Sequence, residues 1–338
     1  SRPDSFTIGS GALVVLASLL ILSLLGIILG LSFTPQPASG LAVPTLDNFR
    51  QVLTDPMTWT VFGNTIVLAV TALIVALGFA LPLAWLVECT DMKGRGAVTA
   101  LMLTVLLIPT FASAAGWLFL LHPRTGLINV LIISAFGLEE APFSVVSLVG
   151  MGWVEGLSRA PIAFLMTCAA FRAMNHSLEE AAHVSGAPLP AVLGRIVLPL
   201  MRPALIACAI YILMIAFGSF DVPAIIGWAN RTFTFSTYVY LLTNPQDVFP
   251  GYGPPAALSS IMLVVALGLV WWARRSMADA HRYAVVTGKA YGRRLFKLGR
   301  GQAIAWLFVA GYFLCAIVLP LLVLVWASLL PFLQLPSG

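Results

Sequence analysis

Residues 62–87 read Phe62-Gly-Asn-Thr-Ile-Val-Leu-Ala-Val-Thr-Ala-Leu-Ile-Val-Ala-Leu-Gly-Phe-Ala-Leu-Pro-Leu-Ala-Trp-Leu-Val87, without one ionisable side chain. A helix needs about 20 such residues to cross the hydrocarbon layer of a membrane, which is about 30 Å thick. Lipid offers the backbone no hydrogen-bond partner, so a spanning segment must be a helix or part of a closed barrel. Because apolar and polar residues do not alternate here, the stretch predicts a membrane-spanning α-helix.

The rest of the chain continues this composition. Of its 338 residues, 60% are hydrophobic and 9% are charged, whereas soluble domains contain about 25% charged residues. The mean hydropathy is +0.98, and a water-soluble globular protein is therefore excluded. The sequence predicts an all-α integral membrane protein, a polytopic helical bundle. Six further stretches are long enough to span the membrane, at about residues 11–33, 97–121, 144–171, 203–226, 255–273 and 303–329.

Basic residues are shared unevenly between the two sides of the membrane. Fourteen of the 18 Lys and Arg residues fall on one side of the predicted spans, and only Arg50, Arg124 and Arg231 fall on the other. Cytoplasmic connections carry the excess of Lys and Arg, so the N-terminus is predicted to be cytoplasmic. The first apolar run is longer than the core of a secretory signal and is predicted to remain as a membrane helix.

The seventh apolar stretch predicts a division of the chain. Six spans end at about residue 273, a basic cytoplasmic linker covers residues 274–302, and a new span begins at about residue 303. We expect residues 1–273 to form one six-span unit and residues 303–338 to begin a second, similar unit of a longer polypeptide. The alternative is a genuine seven-helix protein, which an intact mass far above 36.1 kDa would exclude.

The cytoplasmic connection at about residues 172–202 carries helix start and stop signals. Ser177 followed by Glu180 fits a capping box at the start of a short helix. Gly186 can adopt the left-handed conformation that ends such a helix. Pro199 lacks the amide hydrogen needed to continue a second helix. The connection is therefore predicted to form two short helices, at an angle to each other, on the cytoplasmic surface.

The same connection contains a spaced motif. It reads Glu180-Ala181-Ala182, three residues, Gly186, nine residues, and then Ile196-Val197-Leu198-Pro199. In this pattern the chain resembles the membrane-spanning subunits of binding-protein-dependent ABC importers, whose signature loop has EAA, three residues, G, nine residues and I-x-L-P. All seven fixed positions match, and the motif precedes the next-to-last span of the predicted six-span unit.

The resemblance implies a permease that works by alternating access. In this family the loop is a coupling helix that sits in a groove of a separate cytoplasmic ATPase dimer, where ATP and Mg²⁺ bind, so the permease itself would hold no cofactor. Glu180 would then contact the ATPase, Ala181 and Ala182 would allow close packing, and Gly186 would make the bend. The alternative role for Glu180 is to cap its own helix. The matched positions that complete the motif are Ile196, Leu198 and Pro199.

A weaker resemblance covers most of the chain. Residues Thr234-Phe-Ser-Thr-Tyr-Val-Tyr240, residues Tyr252-Gly-Pro-Pro-Ala-Ala-Leu258 and the linker at 282–289 look like permeases for ferric iron that fuse two units in one chain. Relatives of the same architecture are associated with thiamine, phosphonates and sugar phosphates. The resemblance therefore implies ferric iron or another small polar or anionic solute. It also implies an external solute-binding protein, a bacterial-type inner membrane, and a second permease half in the same polypeptide or in another copy.

The sequence lacks the motifs of an enzyme. Gly288-Lys289 is followed by Ala290, so no phosphate-binding G-x-x-x-x-G-K-[ST] loop is present, and ATP hydrolysis is expected from a partner. The four cysteines and four histidines show no metal-ligand spacing, so no metal site is predicted. Anionic lipid headgroups are a better partner than nucleic acid for the basic linker, because it lies between two spans.

Three ionisable residues within the spans are candidates for the translocation pathway. Glu155 and Arg159 lie four residues apart and can pair on one helix face, either as a structural ion pair or in the pathway. Asp221 lies in Gly218-Ser-Phe-Asp-Val-Pro223, where glycine and proline can interrupt the helix. We expect Asp221 to face the passage, where a carboxylate suits a cation. The same three residues are the only feature that favours the alternative function, a gradient-driven secondary transporter or channel.

Two external segments are candidates for docking the binding protein. They are residues 47–55, between the first two spans, and residues 228–252, between the fifth and sixth spans.

Overall fold

The computed structural model describes residues 5–35, 43–174, 186, 188–244, 251–277 and 295–329. These ranges are helical and contain no β-strand beyond one isolated bridge, which confirms the all-α class. Two π-helical turns, at Leu193–Val197 and Leu314–Val318, each connect two of the α-helices. The helices are α1 (Ser5–Ser32), α2 (Asp47–Thr54), α3 (Pro56–Cys89), α4 (Arg95–Val105), α5 (Thr110–Leu121), α6 (Leu127–Phe136), α7 (Leu148–Ala173), α8 (Leu189–Val192), α9 (Leu198–Gly218), α10 (Phe235–Thr243), α11 (Gly253–Met277), α12 (Gly301–Phe313) and α13 (Leu319–Ser328).

The third predicted span is broken. Within the described ranges, six helical stretches are long and apolar enough to cross a membrane, and they correspond to the other six predicted spans. A single helix over residues 97–121 was expected, but α4 and α5 meet at an angle of 91°. Pro109 explains the break, because its backbone is extended, with ψ at 135°, and a proline disfavours helical conformation in the preceding residue.

The fifth predicted span is displaced towards the N-terminus. The helical stretch runs over Leu193–Gly218, rather than over residues 203–226. The prediction that Pro199 ends a short helix was wrong, because the helix continues through it. The π-helical turn ends at Val197 and places Pro199 in the first turn of α9, where a missing amide hydrogen costs little. The interruption expected between Gly218 and Pro223 is confirmed, since α9 ends at Gly218.

The chain forms two compact units. The first contains Ser1–Phe62 and Phe235–Gly268. In it, the buried Asn48 side chain donates hydrogen bonds to the carbonyl oxygens of Ser32 (3.0 Å) and Thr34 (2.8 Å), which fixes α2 against the end of α1. From Leu13 to Leu31, nearly all the large apolar side chains of α1 are exposed, as a lipid-facing helix requires.

The second unit contains Gly63–Thr234 and Leu269–Gly338. Helices α3 and α7 pack closely in its core because two glycines of α7 face α3. A β-carbon added at Gly152 would lie 2.5 Å from the Thr71 β-carbon, and one at Gly156 would lie 2.6 Å from the Val75 β-carbon. Small residues let membrane helices approach each other, and dispersion contacts then stabilise the pair.

The seventh predicted span packs inside this second unit. The fully buried Tyr312 donates a hydrogen bond to the carbonyl oxygen of Leu157, at 3.0 Å. Before α12, the Leu298 amide donates to the Asp91 carboxylate (2.8 Å), and the Asp91 amide donates to the Phe296 carbonyl oxygen (3.0 Å). The sequence assigned this helix to a second permease unit, but it is held here by residues of the predicted six-span unit, residues 1–273. Its origin in a second unit stays a prediction.

Gly116 is a point of close approach between α5 and α13. A β-carbon at Gly116 would lie 2.6 to 2.7 Å from the backbone of Pro320, whereas one at Gly311 would meet nothing within 4 Å. We expect Gly116→Ala to lower the free energy of unfolding by about 1–3 kcal/mol through overpacking. Gly311→Ala is the matched control and should change it by less than about 1 kcal/mol. Unfolding of both variants in mild detergent measures this, and equal stabilities would contradict the close contact.

Candidate functional site

Two helix breaks of the second unit lie side by side. One separates α4 from α5, and the other follows α9. Thr110, the first residue of α5, donates a hydrogen bond from its hydroxyl to Asp221 Oδ2 at 3.3 Å. Asp221 follows the end of α9 by three residues, and its side chain is exposed. The contact joins two places where backbone polar groups are released from helical hydrogen bonds.

Glu155 connects α7 to the second of these breaks. Its carboxylate is completely buried, and its Oε1 atom accepts a hydrogen bond from Arg159 Nε at 2.8 Å and lies 2.7 Å from Arg159 Nη2 in an ion pair. The other oxygen, Oε2, accepts from the Ser219 hydroxyl at 2.9 Å. Ser219 is the residue directly after α9. Both carboxylate oxygens are therefore used, and Glu155 fixes the end of α9 to α7.

The three predicted pathway residues thus meet in one region with different surroundings. Glu155 is buried in an ion pair, the Arg159 side chain is 22% exposed, and Asp221 is exposed. Such a cluster can offer a permeating solute the Asp221 carboxylate and the Arg159 guanidinium, while Glu155 holds the structure. Their role in translocation stays a prediction.

Sequence reasoning missed Thr110 and Ser219. Each follows a residue that interrupts a helix, Pro109 or Gly218, and a hydroxyl at such a position was the available signal. The partner of each hydroxyl could not be predicted from the sequence, because it lies more than 60 residues away along the chain.

The motif at residues 180–199 is described only in part. Glu180, Ala181 and Ala182 lie outside the described residues, as does the predicted cap at Ser177. Gly186 has φ at +77°, the left-handed conformation expected of it, and no atom of the other described residues lies within 4 Å of the place a β-carbon would take. At the other end of the motif, Ile196 is half-buried in the π-helical turn, and Leu198 and Pro199 are exposed on α9.

The helix that leads into the motif is tied to α3. Arg172, in the last turn of α7, donates from Nε (2.8 Å) and lies with Nη2 at 2.7 Å from the same oxygen of Glu88. Glu88 is the residue before the end of α3 and is 8% exposed. Sequence reasoning missed this pair, although an acidic residue at the end of an apolar stretch was a signal that it needs a partner.

The two candidate docking segments meet in the first unit. The Tyr238 hydroxyl on α10 donates to Asp55 Oδ2 at 2.7 Å, next to α2. Burial raises the pKa of the Tyr238 phenol, and the hydrogen bond to Asp55 raises it further. The phenol therefore keeps its proton across the physiological pH range and donates constantly.

These features define a multi-pass α-helical membrane protein with interrupted helices around a polar cluster. The described residues contain no group of three or more His, Cys, Asp or Glu side chains that could hold a metal ion. No family model matches the chain.

The curated relatives are permeases of ABC transporters, which confirms the resemblance seen in the motif. The chain is 28% identical over 268 residues to a probable molybdenum ABC transporter permease of Haloferax volcanii, covering 78% of this chain and 91% of the relative. It is 28% identical over 229 residues to the trehalose permease SugA of Mycobacterium tuberculosis, covering 67% and 70%. A ferric permease, FbpB 1 of Haemophilus influenzae, is 24% identical over 258 residues, which is 74% of this chain and 39% of that one.

A solved structure supports the fold. A chain of the bacterial alginate ABC transporter, crystallised with a periplasmic protein that carries an alginate pentasaccharide, aligns with a TM-score of 0.62 and 21% identity. The alignment covers 82% of this chain and 95% of that chain.

Proposed function

We propose that this chain is the transmembrane permease subunit of an ATP-driven, binding-protein-dependent ABC importer. The observation that carries the proposal is the motif of Glu180, Gly186 and Pro199, matched at all seven fixed positions. Gly186 has the left-handed backbone that a bend at that position needs, and the similarity to ABC permeases over most of the chain supports the same function.

The energy for transport comes from a cytoplasmic ATPase dimer, which binds ATP and Mg²⁺. Its closure pushes on the coupling motif, which lies between α7 and α9. The motion then enters the membrane along both helices. Because Arg172 pairs with Glu88, the end of α7 carries the end of α3 with it.

The pathway opens where helices are interrupted. The helical hydrogen bonds are already interrupted beside Thr110 and Asp221. The helices α5 and α9 can therefore change direction there without breaking further hydrogen bonds. Asp221 faces the solute, and Glu155 anchors the break through Ser219. Broken helices frame sites in other transporter folds, and that analogy supports this assignment.

The chain lies in the inner membrane with its N-terminus in the cytoplasm, as its basic residues favour. The binding protein docks outside, on the segments that Asp55 and Tyr238 hold together. A second permease half supplies the second coupling loop.

The substrate is a small polar or anionic solute or ferric iron. The relatives described above are named as molybdenum, trehalose and ferric transport permeases, and PotB of Escherichia coli, 26% identical, is named as a spermidine/putrescine transport system permease. This range supports selection of the solute by the binding protein rather than by the permease.

Purification of the full-length protein from native membranes, followed by intact-assembly mass spectrometry, tests the proposal. We expect two ATPase copies for each pair of permease halves. Proteoliposomes with the binding protein should take up solute when ATP is supplied and continue when ionophores collapse the ion gradients. Uptake that stops with ionophores and ignores ATP would instead establish the gradient-driven carrier.

A further inference from the structure

The connection after α3 is bound along its backbone by the residues that precede α12. The Phe296 amide donates to the Cys89 carbonyl oxygen at 2.9 Å, and the Asp91 amide donates back to the Phe296 carbonyl oxygen at 3.0 Å. These two hydrogen bonds form a parallel β-bridge between the two segments. Residues 89–91 and 296–298 together are called the clamp below.

Asp91 contributes two further contacts. Its Oδ1 atom accepts a hydrogen bond from the Leu298 amide at 2.8 Å, and its carbonyl oxygen accepts one from the side-chain amide of Gln302, in the first turn of α12, at 3.4 Å. The clamp is also packed against α3, because the ring centroids of Phe296 and Trp85 lie 5.9 Å apart. Hydrogen bonds to a carboxylate are stronger than those between neutral groups. Asp91 therefore holds both the clamp and the start of α12.

The clamp lies between the coupling motif and the interrupted helices. Glu88, directly before the clamp, pairs with Arg172 at the end of α7. On the other side of the clamp the chain continues into α12 and α13, and α13 meets α5 where Pro320 lies against Gly116. Helix α5 begins at Thr110, beside the break at the proposed pathway. Within the second unit, α7, the clamp, α13 and α5 are thus joined in series.

Helix α12 is held at two points. Asp91 holds its start, and Tyr312 holds it further along through the hydrogen bond to the Leu157 carbonyl oxygen. Gln302 and Tyr312 are about 15 Å apart along the helix at 1.5 Å per residue. A helix held at two points keeps its direction, whereas a helix held at one can pivot. The contact at Asp91 therefore fixes the direction of α12 and, with it, the place where α13 meets α5.

We propose that Asp91 is a positioning residue for transport, which keeps the clamp closed so that motion of the coupling motif reaches α5 through α12 and α13. This inference rests on the proposed function. Coupling between distant sites travels through contiguous packed and hydrogen-bonded contacts. The ATPase acts on the motif before this contact is reached, so loss of the clamp should lower the amount of solute moved per ATP while ATP hydrolysis continues.

Proteoliposomes that contain the full-length protein, the ATPase and the binding protein test this role. Asp91→Ala should lower the solute taken up per ATP about fivefold and leave hydrolysis within about twofold of the wild type. Asp91→Asn should keep most of the uptake per ATP, because its amide oxygen can still accept from Leu298. Lys93→Ala is the matched control, since Lys93 is exposed in the same connection. A merely structural role would instead lower uptake and hydrolysis together and leave their ratio unchanged.

Hydrogen exchange tests the clamp without ATP. In Asp91→Ala the Leu298 amide should exchange about tenfold faster than in the wild type, because its acceptor is gone. The Tyr312 end of α12 should keep its protection. An unchanged exchange rate at Leu298 would overturn the inference, whatever the transport assay shows.

A covalent link tests whether closure of the clamp is what matters. Paired residues of neighbouring strands lie about 4.8 Å apart, within reach of a disulfide. Thr90→Cys with Phe296→Cys, added to Asp91→Ala in a chain that also carries Cys89→Ser, should restore uptake per ATP when oxidised and lose it again when reduced. Failure of the disulfide to restore it would contradict the inference, as would a wild-type ratio in Asp91→Ala. Absence of ATP-driven uptake in the wild type itself would refute the proposed function.

Discussion

Gly186→Pro should reduce ATP-driven uptake more than tenfold while the protein still inserts and assembles. Gly186 has φ at +77°, whereas proline is locked near −65°, so the left-handed backbone at this position cannot form. In the proposed function, a motif displaced in this way would no longer fit the groove of the ATPase. Uptake of solute by proteoliposomes, measured with the ATPase and binding protein present, gives the result.

The chain offers graded controls for this prediction. Gly186→Asn should retain most of the uptake, because asparagine tolerates the left-handed conformation. Gly194→Ala should be neutral, because Gly194 does not need that conformation and its added β-carbon meets nothing within 4 Å. Glu180→Ala should also impair uptake if that carboxylate contacts the ATPase. Wild-type coupling in both Gly186→Pro and Glu180→Ala would remove the coupling assignment.

Glu155→Ala should lower the free energy of unfolding by about 3–5 kcal/mol, because it leaves the Arg159 charge without its partner and the Ser219 hydroxyl without its acceptor. Unfolding of the protein in mild detergent measures the change. Glu139→Ala is the matched control, since Glu139 is exposed, and it should have little effect.

A double variant separates the two roles of the pair. Replacing a buried ion pair by apolar residues of similar size is often nearly neutral for stability. Glu155→Leu combined with Arg159→Leu should therefore recover most of the stability lost in Glu155→Ala. If the double variant is stable but transports poorly, the pair also serves the pathway. A double variant as unstable as the single one would contradict the ion-pair account.

Most of the spans followed from the sequence, because a membrane imposes a strong and local constraint. Lipid cannot satisfy the backbone, so residues 62–87 must be helical in any packing. The left-handed backbone of Gly186 was also a local matter, since glycine adopts this conformation without a steric penalty. The break at Pro109 was equally local in origin but was missed, because hydropathy alone joined α4 and α5 into one span.

The packing of the helices determined most of the partners of the polar side chains. Glu155 could pair with Arg159 within one helix, and the spacing of four residues predicted it. That Ser219 holds the second oxygen, that Thr110 contacts Asp221, and that Glu88 holds Arg172 could not be foreseen. These contacts join residues 64 to 111 positions apart.

The local chemistry of the chain thus set which segments are helices and which glycine of the motif adopts the left-handed backbone. The packing of the helices decided which charges are buried, such as Glu155, and which stay exposed, such as Asp221. In lipid, every backbone N–H and C=O group needs a hydrogen-bond partner, and this requirement acts on each residue locally. It can therefore be predicted from the sequence. Side-chain pairing depends on distances between helices, which are fixed only when their surfaces pack.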